Sequence, residues 1–138
     1  MIGSGGPGVP AVVALVPRIL VVDDEPDILE SLRDLLECSF ADAHVQTATC
    51  GEDAIALVEA ERPDAIVTDF RMPGMDGIEL LGHLPQGPRM AVLMVTAYTQ
   101  ASLEVAAARA GVCAILPKPI VVADFLQAVS SCLADTSA

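Results

Sequence analysis

Five short apolar runs, each followed by a stretch of helical period, constrain this chain more than anything else in it. The runs are ILVV (19–22), VQTAT (45–49), AIVT (65–68), AVLMV (91–95) and AIL (114–116). After the first comes PDILESLRDLLE, with Ile28, Leu29, Leu32, Leu35 and Leu36 on one helical stripe. Pro26 suits the first helical position, and Asp27 and Glu30 favour the positive end of the helix dipole. EDAIALVEAE follows the second run with Ala54, Leu57 and Val58 inward, and IELLGHL (78–84) follows the third and stops at Pro85. LEVAAARA (103–110) follows the fourth, with Gly111 placed as its C′ residue. The last helix carries Val122, Phe125, Leu126, Val129 and Leu133 at helical spacing. Such alternation predicts an α/β fold, a parallel sheet with helices on both faces. Strands buried on both sides read as continuous apolar runs, as ILVV, AVLMV and AIL do.

Length and composition agree with that reading. A chain of 138 residues suits one domain, and 53% hydrophobic content argues against disorder. A net charge of −12 repels phosphate backbones, which excludes direct nucleic-acid binding by this chain. GSGGPG (3–8) matches a dinucleotide-binding GxGxxG by letter, but no strand precedes it and Pro10 follows. Residues 1–17 therefore read as a flexible Gly/Pro-rich leader. The run VPAVVALVPRILVV is interrupted by Pro17 and Arg18, is too short to span a bilayer and lacks a basic flank. The expectation is a cytoplasmic protein with no membrane insertion. Cys38, Cys50, Cys113 and Cys132 are scattered without a CxxC pair, and are expected to be reduced, mostly buried small hydrophobes.

Ligands of such sheets bind outside the carboxyl ends of the strands. The residues there are Asp23, Asp24 and Glu25 after the first strand, Asp69 after the third, Thr96 after the fourth and Lys118 after the fifth. Taken singly, each carboxylate suits a helix cap or a solvated turn. Together they crowd one rim of one sheet. Two carboxylates about 4 Å apart repel by roughly 4 kcal/mol at an effective dielectric near 20, so the cluster needs compensation. Lys118 supplies one positive charge, and all-oxygen ligands at a water-accessible site suit Mg²⁺ for the rest. Asp69 would then be a nucleophile that takes a phosphoryl group as an acyl phosphate. Asp24 and Asp69 would hold the metal, Asp23 would orient its waters, and the backbone carbonyl of Arg71 would complete the site. Lys118 and the Thr96 hydroxyl would contact the phosphoryl oxygens. MPGMDG (72–77) supplies the proline and glycines of a tight turn beside the ligand.

DDE at 23–25, DFRMPGMDG at 69–77, VTA at 95–97 and LPKP at 116–119 resemble the signature of the response-regulator receiver domain of two-component signalling. The resemblance covers about residues 18–134 and leaves 135–138 as a short tail. It implies a flavodoxin-like (βα)₅ fold with strand order 2-1-3-4-5. It also implies Asp69 as phosphoacceptor, Asp23 and Asp24 as the Mg²⁺-binding acids, Thr96 as the switch hydroxyl and Lys118 as the phosphate contact. A cis Lys118–Pro119 bond is implied as well. The phosphoryl donor would be a histidine kinase or histidine phosphotransfer protein, since neither His44 nor His83 falls at the site. The output partner is open, and a homodimer through the last two helices is common among relatives. The chain would be a stand-alone receiver or part of a longer regulator or hybrid kinase.

One position departs from the pattern. Receivers often carry Tyr or Phe three residues before the lysine, and this chain has Ile115. The ring whose rotation couples to the hydroxyl residue is then absent. Tyr98, the only tyrosine, either covers the site partly and slows water attack or is a half-exposed loop residue. Ile115 favours an alternative, a receiver-shaped interaction module that acts independently of phosphorylation. Enzyme readings fit less well, and the expected catalysis is limited to the chain's own phosphorylation and dephosphorylation. Aspartyl phosphatases place a second Asp two positions after the nucleophile, where this chain has Arg71. A flavin phosphate would meet the carboxylates of DDEPD.

Overall fold

The computed structural model describes residues 16–85, 89–98 and 100–137. The GSGGPG segment and all of the expected leader up to residue 15 lie outside the described residues. The elements run β1 (Arg18–Val22), α1 (Pro26–Ser39), β2 (His44–Ala48), α2 (Gly51–Ala60) and β3 (Ala65–Asp69). They continue α3 (Gly77–His83), β4 (Ala91–Thr96), α4 (Ala101–Arg109), β5 (Ala114–Pro117) and α5 (Val122–Ser137). The five strands form one sheet in the order β2-β1-β3-β4-β5, every neighbouring pair parallel.

Side chains alternate across a strand, so each inner strand feeds two cores. Ile19 and Val21 of β1 join Val67, Leu93 and Val95 under α1 and α5, where Leu29, Leu32, Leu36, Phe125 and Val129 close the layer. Leu20 and Val22 point the other way and join Ile66 and Val92 under α2 and α3, with Ala54, Val58 and Leu80. The central strands β3 and β4 are buried along their whole length. Edge strand β5 is only half-buried. This burial explains why the apolar runs are continuous in the centre and polar at the β2 edge.

Local chemistry sets the element ends. Pro26 opens α1, and Asp27 lies in its first turn. Asp76 caps α3 reciprocally: the Glu79 amide donates to Asp76 Oδ1 at 2.8 Å and the Asp76 amide donates to Glu79 Oε1 at 3.0 Å. Gly111, just past α4, has φ +87°, the left-handed conformation a C′ residue needs. α5 runs on through Ser137, into residues expected as a tail.

Two expectations need correction. The helical spacing groups Val122 with Phe125, Leu126, Val129 and Leu133, yet Val122, the first residue of α5, is 52% exposed while Phe125 is fully buried. Cys132 takes an inward position instead. The four cysteines were also expected to be reduced, and Cys113 and Cys132 form a disulfide. Return of α5 across the sheet brings its distal half beside the entry to β5, with the two Cα atoms 6.1 Å apart. Cys38 and Cys50 are free thiols.

Candidate functional site at the carboxyl rim of the sheet

Strand register assembles the site. Val22 is in register with Thr68, so Asp23 emerges beside Asp69. Asp69 is in register with Val95 and Thr96 with Pro117, which puts the hydroxyl and Lys118 on the same rim. The Lys118 amide also donates to the Thr96 carbonyl at 3.0 Å. The Lys118–Pro119 peptide is cis. Asp23, Asp69 and Thr96 are buried, at 2%, 7% and 1% exposure. Asp24 is exposed.

Lys118 joins the two buried acids. Its Nζ donates to Asp23 Oδ2 at 2.8 Å and to Asp69 Oδ2 at 2.9 Å. Glu25 lies farther off, at 3.9 Å. The remaining oxygens take backbone donors: the Glu25 amide to Asp23 Oδ1 at 2.9 Å, and the Arg71 amide to Asp69 Oδ1 at 3.3 Å. Thr96 Oγ1 accepts from the Tyr98 amide at 3.0 Å. Carboxylate oxygens of Asp23, Asp24 and Asp69 lie within 4.8 Å of one another. Three acids against one ammonium leave excess negative charge on hard oxygen donors. That donor set fits a small divalent cation that keeps part of its water shell.

The charges disturb each other in the direction this geometry requires. Burial is the largest influence on Asp69 and raises its pKa above the ordinary 3.8; Lys118 and the Arg71 amide pull it down, and the Asp23 charge pushes it up. Burial also opposes the charge on Lys118. The hydrogen bonds and charges of Asp23 and Asp69 together outweigh it and hold the ammonium above its ordinary 10.5.

A second layer was not legible in the sequence. The rings of Phe70 and Tyr98 stack with centroids 5.6 Å apart, and the Arg71 guanidinium lies over the Tyr98 ring at 4.4 Å. The loops after β3 and β4 are thus joined beside the carboxylates. Ile115 lies on β5 in register with Met94, two residues before Thr96. His44 starts β2 and His83 ends α3, and neither belongs to the cluster.

Gly77 keeps this arrangement tight. Its amide donates to the Phe70 carbonyl at 2.8 Å. A Cβ there would lie 2.6 Å from the Asp69 carbonyl oxygen and 3.2 Å from Phe70 Cα, both backbone atoms that cannot swing aside. Gly77→Ala is expected to destabilise the fold by about 1–3 kcal/mol, despite alanine's better helix propensity. Urea unfolding checks it, and an unchanged midpoint would show that α3 can shift freely from β3.

Residues 19–130 match the response regulator receiver domain family. The response regulator MprA of Mycolicibacterium vanbaalenii is 39% identical over 121 residues, covering 87% of this chain and 52% of that protein. A 14.6 kDa protein of Leptolyngbya boryana is 39% identical over 120 residues, covering 84% of this chain and 90% of its own length. The chain thus spans about half the length of MprA but most of the smaller relative. Among solved structures, a CheY-like receiver domain protein from Methanospirillum hungatei JF-1 superposes with a TM-score of 0.80 at 30% identity, over 89% of this chain and 98% of that one. Chemotaxis protein CheY4 of Vibrio cholerae gives 0.78 at 27%, over 85% and 98%. Sheet order, the acidic rim and these matches together make the chain a member of the response-regulator receiver domain family.

Proposed function

We propose that the receiver domain, residues 18–134, takes a phosphoryl group onto Asp69 from a phosphohistidine of a histidine kinase or phosphotransfer protein. The bridge from Lys118 to Asp23 and Asp69, two of three converging carboxylates, carries this reading. An Asp69 oxygen attacks phosphorus as the P–N bond breaks, and the bonding pair leaves on the imidazole nitrogen. Lys118 turns its ammonium to the transferred phosphoryl oxygens. Thr96 keeps its Oγ1 as acceptor for the Tyr98 amide and has its own proton left to donate to the same oxygens. Asp24, Asp69 and the Arg71 carbonyl would hold Mg²⁺, with Asp23 acting through water. Bound there, the ion neutralises charge on the phosphoryl group.

Response follows from these contacts. The Thr96 carbonyl accepts from the Lys118 amide, so a pull on Thr96 and Lys118 acts on the joined ends of β4 and β5. A phosphoryl group that engages both side chains biases the surface of α4, β5 and α5 between two arrangements. This surface would serve an unidentified output partner or a second copy of the chain. The domain acts on no separate substrate.

Incubation with a small acyl phosphate and Mg²⁺ is the test. One phosphoryl group per chain, lost on chelation of the metal, is expected. An unlabelled chain would favour the phosphorylation-independent module that Ile115 suggests.

Tyr98, held by Phe70 and Arg71, shields the acyl phosphate from water. Tyr98→Ala is expected to speed its hydrolysis by roughly threefold to tenfold, a barrier change of no more than about 1.4 kcal/mol. An unchanged decay rate in a chase experiment would leave Tyr98 a loop residue only.

A further inference from the structure

The Cys113–Cys132 bond lies at the opposite end of β5 from the carboxylates, and nothing in the phosphoryl chemistry uses it. Cys113 is exposed and immediately precedes β5, with its amide donating to the Val92 carbonyl at 2.6 Å. Cys132 is buried on α5 in the same core layer as Phe125 and Val129. The bond therefore ties the half-buried edge strand, the least covered part of the fold's β4–β5 side, to the helix that packs over it. Both cysteines line an open cavity of about 480 Å³. Arg62, Arg89 and Asp135 line it too. Solvent and small thiols thus have a route to the exposed Cys113 side of the bond, and the lining carries more positive than negative charge.

We propose that Cys113–Cys132 is a reversible thiol–disulfide exchange site, open to a dithiol reductant, whose redox state determines how firmly α5 is held to the entry of β5. A reductant thiolate attacks the exposed Cys113 sulfur, the S–S bond breaks, and Cys132 leaves as a thiolate that takes up a proton. The reductant's second thiol, as its thiolate, then displaces Cys113 from the mixed disulfide. The products are two protein thiols and one oxidised dithiol, with two electrons transferred. Reverse exchange with a small disulfide restores the bond.

The placement of the leaving sulfur couples this chemistry to the helix. A thiolate at the Cys132 position forms among Phe125 and Val129, where burial disfavours charge. Exchange is therefore fastest when the distal turns of α5 lift toward the cavity and its guanidinium groups. Once the bond is open, the covalent tie between α5 and the entry of β5 is gone.

Alkylation and hydrogen exchange on the whole chain test this, with no phosphoryl readout involved. Air-oxidised protein, alkylated after unfolding, is expected to label at Cys38 and Cys50 only. After dithiothreitol treatment under native conditions, all four cysteines label. Amides of α5 then exchange at least about tenfold faster, while those of β1 and β3 keep their protection. Cys113→Ser removes an exposed sulfur and should give oxidised samples the fast α5 exchange of the reduced wild type. Cys38→Ser should leave the redox difference intact. Three outcomes would overturn the proposal: four labelled cysteines in the oxidised protein, reduction only after denaturation, or equal α5 exchange in both redox states.

Discussion

Asp69→Asn is expected to abolish phosphoryl incorporation and leave a chain that is folded and, without Mg²⁺, at least as stable as the wild type. The amide keeps the carboxylate's shape but supplies no nucleophilic oxygen anion. Stability follows from the raised pKa of Asp69. As pH climbs above 3.8 the unfolded chain releases this proton first, so the wild type loses stability from there up to the raised folded value. Asparagine has no such loss, and the two proteins converge below pH 3.8. Lys118 loses stability in the same direction, but at alkaline pH. Its raised pKa gives stability that is whole below 10.5 and lost as pH rises through the folded value. The variant keeps only Asp23 as a close partner, so its alkaline loss is smaller. Mg²⁺ reverses the ranking: at ten times the Kd it stabilises the wild type by about 1.4 kcal/mol, and the variant gains less. Urea melts across pH, with and without the metal, read all of this. Labelling of Asp69→Asn at the wild-type level would move the acceptor elsewhere.

Phe125→Ala is expected to cost about 3–5 kcal/mol, as fully buried aromatic truncations do. Phe125 has 0% exposure and docks α5 against the sheet with Val129 and Cys132. Domains of this size are stable by about 5–15 kcal/mol, so one ring carries a large share. Gln127→Ala, exposed two residues on, should stay within about 0.5 kcal/mol. The urea midpoint should fall for Phe125→Ala with little change in slope. A loss below about 1 kcal/mol would mean that the disulfide, rather than packing, holds the helix.

The sheet was legible because its central strands are buried on both faces, which leaves AVLMV and ILVV without an outward polar position. Strand ends were less so. Asp69 reads as the residue after AIVT, yet it pairs with Val95 and closes β3 itself. The helical stripes held in mid-helix, as at Leu29, Leu32 and Leu36, while Val122, at the first position of α5, stays 52% exposed. DGIE (76–79) carried the signal of a capping box that was passed over. The contacts among Phe70, Arg71 and Tyr98 had no local signal, because they join two loops that only the β3–β4 pairing brings together. The cysteine pair, 19 residues apart, was hidden because only the return of α5 along β5 brings the two residues together.

Chain separation within the ion cluster has a consequence for how the molecule comes into being. Lys118 meets Asp23 across 95 positions and Asp69 across 49. Neither bond can close until β1, β3 and β5 have been threaded into one sheet, and such distant parallel pairings are late events in folding. A nascent or half-assembled chain emerging from a ribosome carries the aspartate but no ammonium beside it. Under the proposed reading, phosphoryl acceptance would wait for the assembled sheet, because only there does the ammonium lie beside both acids.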